Sequence, residues 1–406
     1  MRLKEICDYI SRGTTPEYVD ESPYKVMNQA TFSKGWLDES NIRYTSKNVR
    51  EAQIKKGDLL MASTGGGVLG KVFFYDSNDT SFYADSHVSI LRNSKGKNLM
   101  KYLYYFFSIK YDEINATMVK GSTNQTELQR NYLLAYELNI PSLYKQQRIV
   151  DYLDAQLSEI NKRVSVLEKE MDAYARLKKS IIHQAVTRGL DSEARLKNSG
   201  IDWIGMTPKH WEVKRIKDVS SVNVLTLPEN TEDTYQFKYI DISNVSSTGR
   251  ITFGEEIAFY EAPSRARRII KKRDIIVSTV RTYLRAIAFI DFEPTNVIVS
   301  TGFAVLTPNN DIEAKYLAYI LRDCSTVNAI CSQSTGVSYP AISASKLASI
   351  NLIIPSLSEQ QAIIAYLDEK CAKIDAAIEN IGKQVDASKR LKKAIINEAI
   401  SGKAPI

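Results

Sequence analysis

The chain has 406 residues, 44% hydrophobic and 25% charged, which leaves room for two or three soluble domains with ample core. No apolar run approaches the roughly 18–20 residues of a membrane span, no secretory leader follows Met1, and Cys7, Cys324, Cys331 and Cys371 show neither metal-ligand spacing nor a disulfide scaffold. A cytoplasmic protein with reduced thiols is expected. The net charge of +7 says little alone; its placement says more.

Residues 1–143 read as a first globule. MRLKEICDYI opens it, and KKGDLLMAST (55–64) reads as a basic turn, an Asp and a buried strand ending in Ser-Thr. FYADSHVSIL (82–91) follows, then a short helix at KYLYYF from Lys101 and a polar loop, GSTNQT, at 121–126. Short β-branched and aromatic strands with Gly-rich turns predict a mixed α+β globule. The segment GGGVLGK (65–71) fits the glycine and lysine spacing of a phosphate loop. Val72 stands where a magnesium-binding hydroxyl belongs, however, and VFFYDS reads as a strand, not the helix that would hold a phosphate. A glycine-rich turn is expected there.

Residues 144–189 form the first of two long helices. Leu153, Leu157, Ile160, Val164, Leu167, Met171 and Tyr174 follow the alternating spacing of a coiled-coil seam, and Leu177 and Ile181 come after a stammer. Residues 354–403 repeat residues 140–189 without a gap, and the seam recurs at Leu367, Cys371, Ile374, Ile378, Ile381, Val385, Ser388, Leu391 and Ile395, stammer included. Such narrow stripes call for pairing with each other more than for packing on a globule. Helices of about 65 Å would then run antiparallel, one globule at each end of a rigid spacer.

A polar linker (190–207) leads to a second globule (208–357), and a second helical region (358–406) closes the chain. The second globule parallels the first: WEVKRIKDVS opens it, KKRDIIVST (271–279) matches KKGDLLMAST, IVSTGFAVL (298–306) matches FYADSHVSIL, KYLAYI matches KYLYYF, and STGVSY (334–339) matches GSTNQT. The helices are alike and the globules differ, as two readers on a common frame require.

Residues 264–285 hold eight basic side chains (Arg265, Arg267, Arg268, Lys271, Lys272, Arg273, Arg281, Arg285) against one acid, Asp274. Arginine suits guanine edges and phosphates, and shorter polar side chains add contacts. Candidate nucleic-acid contacts in the second globule are Arg265, Arg267, Arg268, Thr279, Arg281, Tyr283, Arg285, Thr301, Ser334, Thr335, Ser338 and Tyr339. In the first they are Arg12, Thr14, Thr15, Thr64, Ser86, His87, Lys120, Ser122, Thr123, Asn124 and Gln125. His87, His183 and His210 are scattered, and no catalytic triad, metal motif or methyltransferase motif is present. A coiled-coil scaffold for proteins and an enzyme built on residues 65–71 are the competing readings.

Several long segments together resemble the specificity subunit of type I restriction–modification systems. They are SGIDWIGMTPKHWEVKRIKDV (199–219), IPSLYKQQRIVDYLD, IPSLSEQQAIIAYLDEK, RLKKSIIHQAVTRGL, RLKKAIINEAI and the loop at 334–342. The resemblance spans essentially the whole chain. It implies an α+β, pseudo-twofold protein: two similar target-recognition globules separated by two long helices forming an antiparallel coiled coil. It further implies that each globule contacts one half of an interrupted double-stranded DNA target through the major groove. The helices would be the ruler for the unread gap and, over 144–188 and 358–402, the docking surface for partners. Those partners would be two modification subunits, which bring S-adenosylmethionine and methylate adenine at N6, and a restriction (motor-nuclease) subunit. The chain itself would be non-catalytic, with no metal, cofactor or membrane contact of its own. One departure is that the first globule lacks the Pro-x-x-Trp opening seen at Pro208–Trp211.

Overall fold

A computed structural model of the chain describes residues 1–47, 49–94, 96–120 and 126–406, with the side chains of residues 97–99, 119 and 120 outside the description. Two compact units emerge: residues 1–168 with 383–406, and residues 169–382. Two long helices, α1 (Leu143–Arg188) and α2 (Leu357–Ile400), each contribute a segment to both units.

In the first unit, an antiparallel sheet is ordered Tyr9–Arg12, Val88–Arg92, Leu59–Ala62, Val72–Phe74. All four residues of Leu59–Ala62 are buried because both faces are covered. Side chains alternate along a strand. Leu59 and Met61 therefore join a core with Met100, Leu103, Leu153 and Leu157, while Leu60 and Ala62 join one with Met27, Phe82 and Ala84. The second unit repeats this sheet as Ser220–Val222, Phe303–Pro308, Ile275–Ser278, Ile287–Phe289. Ile275 and Val277 again face one core and Ile276 the other.

A second sheet accompanies each. Both contain a parallel pair, Lys25–Met27 with Phe82–Ala84 and Gln236–Ile240 with Val297–Ser300. They differ at the edges. The first adds Tyr18–Val19 beyond Arg43–Thr45, whereas the second adds Ala266–Ile269 beyond Val297–Ser300, where the first has only a bridge between Gln53 and Tyr83.

The repeated letters of the helices are the letters that clamp each globule. Lys101 Nζ donates to Asp154 at 2.6 Å and Tyr105 Oη donates to the same carboxylate; Lys315 Nζ (2.6 Å) and Tyr319 Oη (2.7 Å) do the same to Asp368. Burial, reinforced by the carboxylate, raises both tyrosine pKa values. Gln146 and Gln360 are buried, and their amides donate to the carbonyls of Pro141 (2.7 Å) and Pro355 (2.9 Å). Within the first unit, Leu153 and Leu157 share a core with Ile396 and Ala399, Lys392 donates to Asn161 at 2.9 Å, and Arg163 lies 3.5 Å from Gln384. Within the second, Lys178 meets Asp375 at 2.6 Å, and Ala185 and Val186 share a core with Ile363 and Leu367. In both units the two helical segments run antiparallel.

Leu153, Leu157, Leu167, Leu367, Cys371, Ile374, Ile381 and Val385 are buried; Ile160, Val164, Met171, Tyr174, Ile378 and Ile395 are half-buried. Leu391 corrects the sequence reading: it is 52% exposed, as is its counterpart Leu177 at 47%. At the stammer the stripe shifts by one residue, so the stems of Lys178 and Lys392 cover the seam with their ammonium groups reaching Asp375 and Asn161.

Residues 190–207 are also more than a linker. Leu196–Asn198 pairs antiparallel with Met206–Pro208, and Ile201, Trp203 and Ile204 pack on the core of the second unit. Trp211 is fully buried, its indole N–H donating to Glu359 at 3.1 Å, beneath the left-handed Gly189 (φ 76°) that ends α1. A Cβ at Gly189 would fall 3.1 Å from the Trp211 ring. His183 on α1 lies 3.2 Å from buried Asp323, tying α1 to the loop before the helix Cys324–Ser332.

Candidate nucleic-acid interface

At the end of each central strand the chain emerges onto a polar rim. In the first unit Ser63 donates its N–H to the His87 carbonyl (2.8 Å) and receives the Leu128 N–H on its own carbonyl (2.8 Å). In the second unit Thr279 does the same with Gly302 (2.8 Å) and Ile342 (2.9 Å). Bridges between Thr64 and Glu127 and between Val280 and Ala341 extend the match. The two Ser-Thr pairs are therefore one residue out of register: Ser63 corresponds to Thr279, and Thr64 to Val280. Matching letters misaligned them because the strands differ by one residue between the Asp and the Ser-Thr pair.

The first rim gathers Thr14, Thr64, Ser86 and His87. Thr14 N–H donates to Ala84 O (3.2 Å) and Gly13 N–H to Val88 O (2.9 Å), a crossing so close that a Cβ at Gly13 would fall 2.0 Å from Ala84 O. Thr64 Oγ1 lies 2.7 Å from His87 Nδ1 and 3.3 Å from Gln29 Oε1. Beneath them Asp85 is buried, accepting the His87 N–H at 2.9 Å, and burial pushes its carboxyl above the usual range. Thr15 and His87 are exposed. Arg12 is turned inward, paired with Glu127 and donating to Leu128 O at 3.0 Å. The Lys120 side chain and Ser122, Thr123, Asn124 and Gln125 lie outside the described residues.

The turn that follows the central strand differs between the two rims. Residues 65–71 form a hairpin between two strands, with Gly65 (φ 93°), Gly67 (φ 80°) and Gly70 (φ 86°) left-handed and no helix following. The equivalent turn, Thr282–Leu284, is flanked by Arg281 (φ 50°) and Arg285 (φ 56°), both left-handed, and presents Tyr283 to solvent. Arg281 N–H donates to Pro340 O (2.7 Å), and its guanidinium lies 4.4 Å from the centre of the exposed Tyr339 ring. Thr282 and Ser334 hydroxyls are 2.9 Å apart, and Thr335 bridges to Ala341. Ser338 is exposed, and Val337 beside it is fully so. Thr301 N–H donates to Arg265 O (2.8 Å), which brings Arg265 beside the Thr279 end of the rim.

The remaining arginines of the second rim each meet another side chain of the fold. Arg265 donates to Asp241 (3.2 Å), Arg268 to Thr226 (3.1 Å) and Arg285 to Cys324 Sγ (3.5 Å), and Arg267 lies over Phe259 at 4.6 Å. Gln29 and Asp241 were not legible in the sequence as rim residues, because their partners Thr64 and Arg265 stand 35 and 24 positions away.

The sequence matches the family described as type I restriction modification DNA specificity domain over residues 1–168 and 208–386. The chain belongs to that family. It is similar to the putative type I restriction enzyme MjaX specificity subunit of Methanocaldococcus jannaschii, at 23% identity, covering 99% of this chain and 92% of the relative. The type I restriction enzyme MjaVIII specificity subunit of the same organism is 22% identical with the same coverage. A solved structure from work on complex assembly and conformational transition of the type I R-M system shares the fold, with a TM-score of 0.65 at 16% identity, covering 100% of this chain and 97% of that one. In this specificity-domain fold the two rims occupy equivalent places at the ends of equivalent strands. Among the described residues no helix is long and apolar enough to cross a membrane.

Proposed function

We propose that this chain is the non-catalytic specificity subunit of a cytoplasmic type I restriction–modification complex and reads an interrupted, two-part double-stranded DNA target, one half per globule. The observation that carries this reading is the pairing of a repeated clamp with unlike rims. Lys101, Tyr105 and Asp154 recur as Lys315, Tyr319 and Asp368, while the hydroxyl and imidazole groups of Thr64 and His87 have no equivalent beside Arg281 and Tyr339. Base edges are read by such side chains, and each wrong base pair costs about 1–3 kcal/mol.

Seating of both globules positions an adenine for two modification subunits, which supply S-adenosylmethionine and carry out N6-methylation; a motor-nuclease subunit joins them for restriction. Helices α1 and α2, 46 and 44 residues long, serve as the ruler and as the partner docking surface. A genome-wide map of N6-methyladenine with the gene intact and deleted tests this. Loss of one interrupted, two-part motif on deletion is expected; an unchanged map in a strain whose modification subunits are active would contradict it. Removing one heptad from each helix is expected to shorten the gap and leave both halves alone.

A further inference from the structure

Resting on that reading, we propose that Arg281 reads a guanine in the half-target served by the second globule, with the Tyr339 ring holding its guanidinium plane. Three observations converge on this side chain.

The first is its backbone. A left-handed conformation is disfavoured for any residue with a Cβ. The equivalent turn of the first globule solves the same geometry with Gly65 and Gly70, yet Arg281 and Arg285 hold φ values of 50° and 56°. Strain kept where glycine would relieve it points to a side chain that is needed. For Arg285 the partner is visible, the Cys324 thiol 3.5 Å away. The Arg281 guanidinium instead lies over the exposed Tyr339 ring.

The second is the stack. The Arg281 guanidinium lies over the Tyr339 ring, 4.4 Å from its centre, and that ring is 61% exposed. A guanidinium held over a ring still carries N–H groups able to make a bidentate contact. The arrangement is braced by the backbone as well: Arg281 N–H donates to Pro340 O, and Thr335 pairs with Ala341 across the left-handed Gly336 (φ 106°). The guanidinium fork matches O6 and N7 of guanine in the major groove.

The third is what surrounds it. Arg265, Arg267, Arg268, Lys272 and Arg273 turn to Asp241, Phe259, Thr226, Glu293 and Glu313. Much of the basic stretch that is conspicuous in the sequence thus meets acidic, aromatic or hydroxyl side chains of the fold, whereas Arg281 lies over an exposed ring.

Methylation maps of cells carrying the full chain with its partner subunits, as wild type, Arg281→Gly and Arg281→Lys, test the proposal. Arg281→Gly suits the left-handed backbone and is expected to fold. Methylation should then spread to other bases at one G·C position in one half of the motif. The preference for G there should fall by about 5- to 150-fold, with the other half and the gap unchanged. Arg281→Lys keeps the charge but not the fork, and should lose most of the same preference; it decides the matter if the glycine variant does not accumulate. An unchanged motif in these variants overturns the proposal. So does a uniform loss of methylation with every base preference intact, the mark of a phosphate contact, or a wild-type motif with no G·C pair in its halves. Failure of the underlying reading looks different: the wild-type map would not change when the gene is deleted.

Discussion

The two units place an aspartate at the same point, before the central strand, and stabilise it differently. Asp58 accepts the Lys55 N–H (2.7 Å) and a two-point contact from Arg92 (2.6 and 2.7 Å). Asp274 accepts the Lys271 N–H (2.7 Å) but meets the Thr307 hydroxyl (2.8 Å) in place of a guanidinium. The clamps to α1 and α2, by contrast, are copied group for group. Where a position has to hold one geometry, the two halves agree; where several side chains serve a turn, or where a partner outside the chain decides, they diverge.

The largest expected effect is at the divergent aspartates. Arg92→Thr imposes the second unit's arrangement on the first and leaves the Asp58 carboxylate, 1% exposed, without its cation. A loss of about 3–5 kcal/mol is expected in urea denaturation of the full chain. Thr307→Val in the second unit removes one neutral donor and should cost about 1–3 kcal/mol. Equal losses would show that the two arrangements are interchangeable.

The clamps should behave as equals. Tyr105→Phe and Tyr319→Phe each remove one hydrogen bond to a half-exposed carboxylate and should each cost about 1 kcal/mol. A loss confined to one unit would break the equivalence of the halves.

A smaller effect sharpens the comparison within the helices. Lys178 pairs with Asp375, whereas its counterpart Lys392 meets Asn161, and burial pushes the Lys392 ammonium pKa below its usual value. Asn161→Asp should complete the second pair, stabilise by about 0.5–1 kcal/mol, and lose most of that gain in high salt.

The smallest concerns pH. Burial raises the Asp274 carboxyl above its ordinary value. A carboxyl raised by folding contributes stability below its unfolded-state pKa and loses it as pH rises through the folded value. Relative to wild type, Asp274→Asn should therefore gain stability as pH rises from acid to neutral, read from the shift in urea midpoint.

Much of this architecture was legible in the chain. The 214-residue repeat marked both helices, and the recurrence of KYL-containing segments and YLD marked what became the clamps. Less legible were features set by distant partners. Leu391 fits the heptad letter pattern, yet the stammer rotates it outward and brings Lys392 in. The polar 191–207 segment reads as a linker because its three anchoring apolar residues, Ile201, Trp203 and Ile204, are too few to show a period. The basic run at 264–285 announces charge but not its partners; only the fold shows that Arg265 and Arg268 meet Asp241 and Thr226 while Arg281 lies over the Tyr339 ring.

One measurement tests most directly the claim that each rim reads its own half. Methylation motifs would be mapped for two chains assembled with their partner subunits, one carrying Thr64→Ala with His87→Ala, the other Arg281→Gly. The two-reader arrangement predicts that the first chain alters one half of the motif, the second alters the other, and the gap stays fixed in both. Changes falling in the same half, or a change in the gap, would contradict it.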